Sequence, residues 1–410
     1  MALAPLLFAA LAVLSGGEPE DPPDTVLLVG GKELQGVVLR ETSSTLALRF
    51  ERRDLEIPIE EVRTWSGPRR SRRDYLPRLH AAFRRPPDAG LDRKLAAWCT
   101  ANGLLRDARV HWWRALLADP RSAAAHRALG HRPQGEEWLL PVEGRGWRSF
   151  EEARALHREE NRPWGIPSAH FRVRGSGELE DLLAASAELE LLYAAYYDRY
   201  QLGAGFPELL APIAVEIHAS ADSFPRLSGT VDAYYSPATA TVHSYFFGGR
   251  ASQLLHEAMH AIQDRGARQM LRGDPSMPGW LVEGLACYMA ASFDDAPGAP
   301  RFEAGRPDRM LMRAHAEAVR PASLGRVLRY ESGDFAASTR QHEKYGQAYS
   351  LVHFLQHGGR PELEAAFLQI LAASHLRRST AQADERLLAG DDAPAFGAAW
   401  RAHAAALAED

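Results

Sequence analysis

The stretch LLHEAMHAIQD, residues 254–264, contains two histidines and a glutamate in the order H-E-x-x-H. On a helix, residues four apart lie one above the other on the same face, so His256 and His260 can bind one metal ion. Glu257 lies one step around the helix, where a carboxylate can accept a proton from a metal-bound water. The spacing therefore predicts a zinc site on this segment.

The residues around this stretch predict that it is helical. Gly248 and Gly249 interrupt whatever precedes it, and Ser252 can serve as the N-cap. Leucine, alanine, methionine and isoleucine between the polar positions favour a helix. Gly266 is expected to end it.

A third ligand is predicted in PGWLVEGLACYMA, residues 278–290, where Pro278 and Gly279 open a second helix. Glu283 follows His260 with 22 residues between them. A catalytic zinc site needs three protein ligands and one open position, and two histidines with one glutamate are a recurrent solution. The alternative is an amphipathic helix with two surface histidines, and the presence of Glu283 favours the metal site over it.

The pair HEAMH and WLVEGLACY resembles the gluzincin clan of zinc peptidases, which includes thermolysin-like and aminopeptidase-like enzymes and compact peptidase MA-like domains. The resemblance covers residues 166–407 and implies an α+β domain, a mixed sheet followed by a helical H-E-x-x-H subdomain. It implies that His256, His260 and Glu283 bind one Zn²⁺ per chain and that Glu257 is the general base. The implied activity is hydrolysis of peptide bonds by a zinc-activated water.

A further helix is predicted in EKYGQAYSLVHFL, residues 343–355, with Tyr345 and Tyr349 on one face. Many aminopeptidase-like relatives carry a tyrosine at a similar distance after the glutamate ligand, and its hydroxyl stabilises the oxyanion. The resemblance implies this role for Tyr345, with Tyr349 as the second choice. The alternative is a pair of core tyrosines whose rings are buried.

The chain departs from the thermolysin-like pattern at Cys287. Thermolysin-like members carry an aspartate four residues after the glutamate ligand, and this aspartate orients a histidine. Cys287 is expected to be a small buried apolar residue rather than a fourth ligand or a redox group. The other cysteine, Cys99, lies in a different predicted domain, so no disulfide is expected.

The composition is that of an ordinary globular protein, with 410 residues, 46% of them hydrophobic and 25% charged. A net charge of −5 argues against nucleic acid as the main partner. An apolar run at residues 2–14, followed by small residues, predicts a signal peptide over residues 1–17 and export to the periplasm, cell surface or medium. Because no lysine or arginine precedes the run, an uncleaved anchor and a mis-assigned start are the alternatives. No other segment approaches the length of a membrane span.

Two further modules are predicted before the peptidase-like part. Short alternating segments in residues 24–67 predict an antiparallel sheet, which resembles Sm-like or SH3-like mini-barrels. Residues 72–160 predict a helical spacer that resembles a tetratricopeptide pair. Both are expected to dock protein partners without chemistry of their own. The arginine-rich run at residues 69–73 is interpreted as a solvated charge run.

In the peptidase-like part, residues 231–247 predict a β-hairpin that turns at Ser236 and Pro237. In gluzincins an edge strand beside the zinc helix pairs with an extended peptide or protein substrate, and the resemblance implies that residues 240–245 form part of this cleft wall. Two other functions remain open. The chain could be a zinc-stabilised scaffold without catalysis, or a hydrolase of a non-protein amide such as a cell-wall peptide. The choice between endopeptidase and aminopeptidase also stays open.

Overall fold

The computed structural model describes residues 20–158, 162–225, 232–247, 250–251, 253–271, 277–294, 296, 299–335 and 340–409. The chain divides into two compact units. The first comprises Met1–Ala194, Glu208–Leu254 and Ala296–Pro300, and the second comprises Ala195–Pro207, Leu255–Asp295 and Arg301–Asp410. The predicted signal peptide lies outside the described residues. Within the described part, no helix has both the length and the apolar character needed to cross a bilayer.

A five-stranded antiparallel sheet opens the first unit. Its strands are β1 (Asp24–Leu28), β2 (Glu33–Glu41), β3 (Thr45–Phe50), β4 (Arg53–Pro58) and β5 (Val62–Ser66). Each strand contributes to one apolar core, which contains Val26, Leu34, Val38, Leu46, Leu48, Ile57 and Trp65. The strands pair in the order β4-β3-β2-β1-β5. The expected closed barrel is not formed among the described residues, because β4 and β5 do not pair with each other and the sheet stays open.

The region predicted as a helical spacer contains both helices and strands. The helices are α1 (Pro68–Phe83), α2 (Ala89–Ala101), α3 (Leu105–Ala118), α4 (Ala123–Ala128) and α5 (Phe150–His157). The predicted helix pair is confirmed in α2 and α3, which are separated at Gly103. The region also contains a small antiparallel sheet that was not expected from the sequence, formed by β6 (Arg132–Gln134), β7 (Glu137–Val142) and β8 (Gly146–Ser149).

The arginine-rich run at residues 69–73 is not simply a solvated charge run. Arg72 is only 8% exposed. Its Nη2 atom lies 2.9 Å from Oδ2 of Asp107 and 3.1 Å from Oδ2 of Asp21. The expectation of a solvated charge is therefore wrong for Arg72, because it forms buried ion pairs with acidic residues that are distant in sequence.

A buried histidine joins two glutamates in the first unit. Nδ1 of His170 lies 2.7 Å from Oε2 of Glu190, and its Nε2 lies 2.8 Å from Oε1 of Glu208. All three residues are buried. Burial lowers the pKa of His170, but the carboxylates of Glu190 and Glu208 raise it by more, to about 9. Arg69 adds a second cation, since its Nε lies 3.6 Å from Oε1 of Glu208.

We expect the stability that His170 provides to fade at alkaline pH. Its pKa is 6.5 ordinarily and about 9 in the fold, so its contribution is complete below about pH 6.5 and is lost as pH rises through about 9. Urea unfolding of the wild type and His170→Leu between about pH 6 and pH 9.5 measures this effect. The difference in unfolding free energy should shrink over that interval. A constant difference would contradict the charged state of His170.

A mixed sheet completes the first unit, which confirms the mixed sheet expected from the sequence. Its strands are β9 (Trp164–Pro167), β10 (Phe171–Gly175), β11 (Ile213–His218), β12 (Tyr234–Ser236) and β13 (Thr241–Phe247). They pair in the order β12-β13-β11-β10-β9, and β14 (Arg250–Ala251) also pairs with β13. The predicted hairpin is confirmed, because β12 pairs antiparallel with β13. The edge-strand role that the gluzincin resemblance implies does not hold at residues 241–243, where β13 lies between β11 and β12.

Helix α6 (Leu179–Ala204) begins in the first unit and ends in the second. The other helices belong to the second unit, except that the first residue of α7, Leu254, belongs to the first unit. They are α7 (Leu254–Leu271), α8 (Gly279–Ala291), α9 (Arg309–Ala316), α10 (Leu324–Val327), α11 (Ser332–Phe335), α12 (Gln341–His357), α13 (Pro361–His375), α14 (Ala381–Ala389) and α15 (Ala393–Glu409). The predicted helices around residues 254–264, 278–290 and 343–355 are thus confirmed.

Gly266 does not end α7, which continues to Leu271. A Cβ atom at Gly266 would lie 2.1 Å from Cε2 of Phe206. The glycine is therefore explained by close packing of an aromatic ring against the helix rather than by helix termination.

Candidate metal centre

Helix α7 presents two histidines on one face. Ala258, Met259, Ala261 and Ile262 are fully buried and fix the orientation of the helix. One helical turn separates His256 and His260, and their Nε2 atoms lie 3.1 Å apart. Ser252 and the glycines before it, predicted to begin this helix, lie outside the described residues.

Helix α8 supplies the carboxylate of Glu283. Pro278 is its N-cap residue, as the sequence predicts for this boundary. Oε2 of Glu283 lies 3.4 Å from Nε2 of His256 and 3.4 Å from Nε2 of His260. Within the described residues, these three form the group of histidine, cysteine and acidic side chains placed to hold a metal ion.

The donor atoms of this triad fit a tetrahedral metal ion. Bonds of about 2.0–2.1 Å to a tetrahedral ion place neighbouring donors about 3.3–3.4 Å apart, and the three measured sides are 3.1, 3.4 and 3.4 Å. Oε2 of Glu283 is also buried without a hydrogen-bond partner among the described residues. A cation between the three atoms would satisfy it. The side chains are 12–16% exposed, so the triad is not fully enclosed by the protein.

The charges of the triad residues influence one another's pKa values. Burial raises the pKa of Glu283, but His260 and His256 lower it by more, so its pKa lies well below the usual range. Burial lowers the pKa of His260, but Glu283 and Glu257 raise it by more, to about 9. A metal ion and a proton therefore compete for the same imidazole, and metal binding would release the proton.

Glu257 is buried beside the triad and is not one of its three donors. Its carboxylate is close enough to raise the pKa of His260 and of Tyr345. A carboxylate at this position can exchange a proton with a molecule held at the centre.

Tyr345 lies on α12 and faces the same group of side chains. Its ring centroid is 6.4 Å from that of His256 and 5.1 Å from that of Phe335, against which the ring packs edge-on. Burial raises the pKa of Tyr345, and the charges of Glu283 and Glu257 raise it further. The hydroxyl therefore stays protonated and can donate a hydrogen bond.

Tyr349, one turn further along α12, uses its hydroxyl elsewhere. The hydroxyl accepts a hydrogen bond from the backbone N–H of Asp308 at 2.6 Å and lies 3.4 Å from the carbonyl oxygen of Arg306. The side chain is fully buried. The structure thus favours Tyr345 over Tyr349 as the tyrosine that serves the metal centre.

Cys287 is buried, as predicted, but it also contacts a proposed metal ligand. Its Sγ lies 3.8 Å from Nδ1 of His256, on the side of the ring away from Glu283. This position does not suit a fourth ligand. The sequence signal for the contact was the four-residue spacing from Glu283, which places both side chains on one face of α8.

Gly284 allows α8 and α12 to approach each other closely. A Cβ atom at this position would lie 2.5 Å from the carbonyl oxygen of Ala348. Glu283 and Tyr345 are carried by these two helices, so their separation sets the geometry of the centre.

We therefore expect Gly284→Ala to lower the free energy of unfolding by about 1–3 kcal/mol, because the added methyl forces the helices apart. Metal affinity should fall as well. Gly397→Ala on α15 is a matched control, since its Cβ would meet nothing within 4 Å, and it should stabilise the helix by about 0.5–1 kcal/mol. Urea unfolding measures both variants, and equal stability of the two would contradict the close packing at Gly284.

The sequence model of one protein family, described as "Protein of unknown function (DUF1570)", matches residues 250–376. The matched segment contains His256, Glu257, His260, Glu283 and Tyr345. No curated protein matches the chain. The similarity to this family therefore spans the candidate centre and leaves its chemistry to be inferred from the residues.

Proposed function

We propose that this protein is a zinc-dependent peptidase whose single Zn²⁺ is held by His256, His260 and Glu283. The observation that carries the proposal is the triangle of donor atoms, with sides of 3.1, 3.4 and 3.4 Å. Two imidazoles and one carboxylate suit zinc and leave the fourth tetrahedral position open to water. Glu257, buried next to the triad, supports catalysis over a purely structural metal site.

Bound at this position, Zn²⁺ would lower the pKa of a water molecule to about 7 and polarise the substrate carbonyl. Glu257 accepts a proton from the water molecule while the oxygen of that water attacks the carbonyl carbon of the amide. The Tyr345 hydroxyl donates a hydrogen bond to the oxyanion that forms. Glu257 then gives its proton to the leaving amine as the C–N bond breaks. The products are a carboxylic acid and an amine.

Cleavage of a diverse peptide library, followed by mass spectrometry, tests this proposal. The zinc-loaded protein is compared with the same preparation after chelation and after zinc is restored. Cleavage is expected only in the two zinc-containing samples, and the cleaved bonds will distinguish endopeptidase from aminopeptidase activity. Cell-wall peptides are included as non-protein amides. No cleavage by folded, zinc-containing protein would contradict the proposal and favour a scaffold.

A further inference from the structure

Helix α8 contacts His256 at both of its ring nitrogens. Oε2 of Glu283 lies 3.4 Å from Nε2, and Sγ of Cys287 lies 3.8 Å from Nδ1. Glu283 and Cys287 are one helical turn apart, so a single face of α8 supplies both contacts. The imidazole is therefore held between a carboxylate and a thiol from the same helix.

A histidine that binds a metal through Nε2 carries a hydrogen on Nδ1, and this N–H needs an acceptor. Among the described residues, the sulfur of Cys287 is the acceptor placed against Nδ1 of His256. Cys287 itself is buried, with 9% of its surface exposed. The thiol thus fixes both the tautomer and the orientation of the ring.

The second histidine lacks a comparable partner. Nδ1 of His260 is buried and has no hydrogen-bond partner among the described residues. The contact between Cys287 and His256 is therefore the hydrogen-bonding contact by which a group outside the triad can orient one of the two histidines.

We propose that Cys287 is a positioning residue that orients His256 for metal binding, an inference that rests on the proposed zinc site but not on the peptidase reaction. Sulfur is a weaker hydrogen-bond acceptor than a carboxylate and carries no charge as a thiol. The thiol holds the ring without adding a further negative charge beside Glu257 and Glu283. Zinc is consequently bound less tightly than it would be with an aspartate at position 287.

Zinc affinity of the full chain, measured by competition with a chromophoric chelator, tests this role. Cys287→Ala should weaken zinc binding by about tenfold, and Cys287→Asp should strengthen it by about tenfold. Cys287→Asn, with a neutral but stronger acceptor than sulfur, should fall between the wild type and the aspartate variant. Cys99→Ala is the matched control, because Cys99 is fully buried in the first unit and should leave zinc affinity unchanged.

Circular dichroism of each zinc-free variant establishes that it is folded before its affinity is compared. If Cys287→Asp does not fold, zinc affinity is compared among the wild type, Cys287→Ala and Cys287→Asn. Equal zinc affinity of folded Cys287→Ala and wild type would overturn the positioning role, even if the wild type cleaves peptides. Wild type that binds zinc but cleaves no peptide would contradict the proposed function and leave the predicted order of affinities intact.

Discussion

Glu257→Gln is expected to lower the turnover number for peptide hydrolysis by at least about a hundredfold, and up to about ten-thousandfold. The amide has nearly the same shape as the carboxylate but cannot accept the proton of the attacking water. Because Glu257 is not one of the triad's donors, the variant should still bind one Zn²⁺ per chain. The loss should therefore appear in turnover, with zinc content and fold preserved.

The measurement is the initial rate on a peptide selected from the library, with zinc content determined by elemental analysis of the same samples. Glu317→Gln is the matched control, since the Glu317 side chain directly after α9 is 73% exposed and its loss should leave the rate unchanged. Both variants are purified in parallel with the wild type, which also detects a contaminating protease. A rate within about threefold of the wild type for zinc-loaded Glu257→Gln would exclude Glu257 as the general base.

The second large effect concerns stability. His170→Ala is expected to lower the free energy of unfolding of the first unit by about 3–5 kcal/mol, because it removes the cation that lies between two buried carboxylates. Glu190 and Glu208 lie within 2.8 Å of opposite nitrogens of the imidazole. Without the ring, both lose this close partner, and Glu208 retains the more distant guanidinium of Arg69 at 3.6 Å. Urea unfolding at about pH 6, where the wild-type cluster is fully charged, gives the value.

A matched control separates the loss of charge balance from the loss of volume. His170→Leu combined with Glu190→Met and Glu208→Met removes all three charges and keeps the site filled, so it should recover much of the lost stability. A His170→Ala variant destabilised by less than about 1 kcal/mol would show that the buried charges are not balanced by this histidine.

The arrangement of the two histidines could be predicted because it is local. The four-residue spacing of His256 and His260 fixes their relation on any helix. Glu283 was predictable as a third donor from its own segment, but spacing in sequence does not determine how two helices meet. Tyr345 and Tyr349 illustrate the limit, since both lie on one helical face and only tertiary packing distinguishes their hydroxyl partners.

The failures of prediction share a non-local cause. The arginine-rich run was interpreted from its own residues, but Arg72 pairs with Asp107, which is 35 residues away. The resemblance implies an edge-strand role for residues 240–245, but β12 pairs with β13 at residues 241–243. Closure of a barrel likewise depends on whether β4 and β5 meet, which no single strand encodes.

The contact between Arg69 and Glu208 has a consequence for how the protein folds. Arg69 follows the N-terminal sheet, whereas Glu208 follows helix α6, so a large part of the chain must be synthesised before they can meet. Such contacts raise the contact order and slow the search for the native state. We therefore expect an N-terminal fragment ending before residue 170 to be unable to complete its ion-pair network. The ion-pair network around Glu208 would form only late in synthesis of the first unit, when residues 170–208 have emerged from the ribosome.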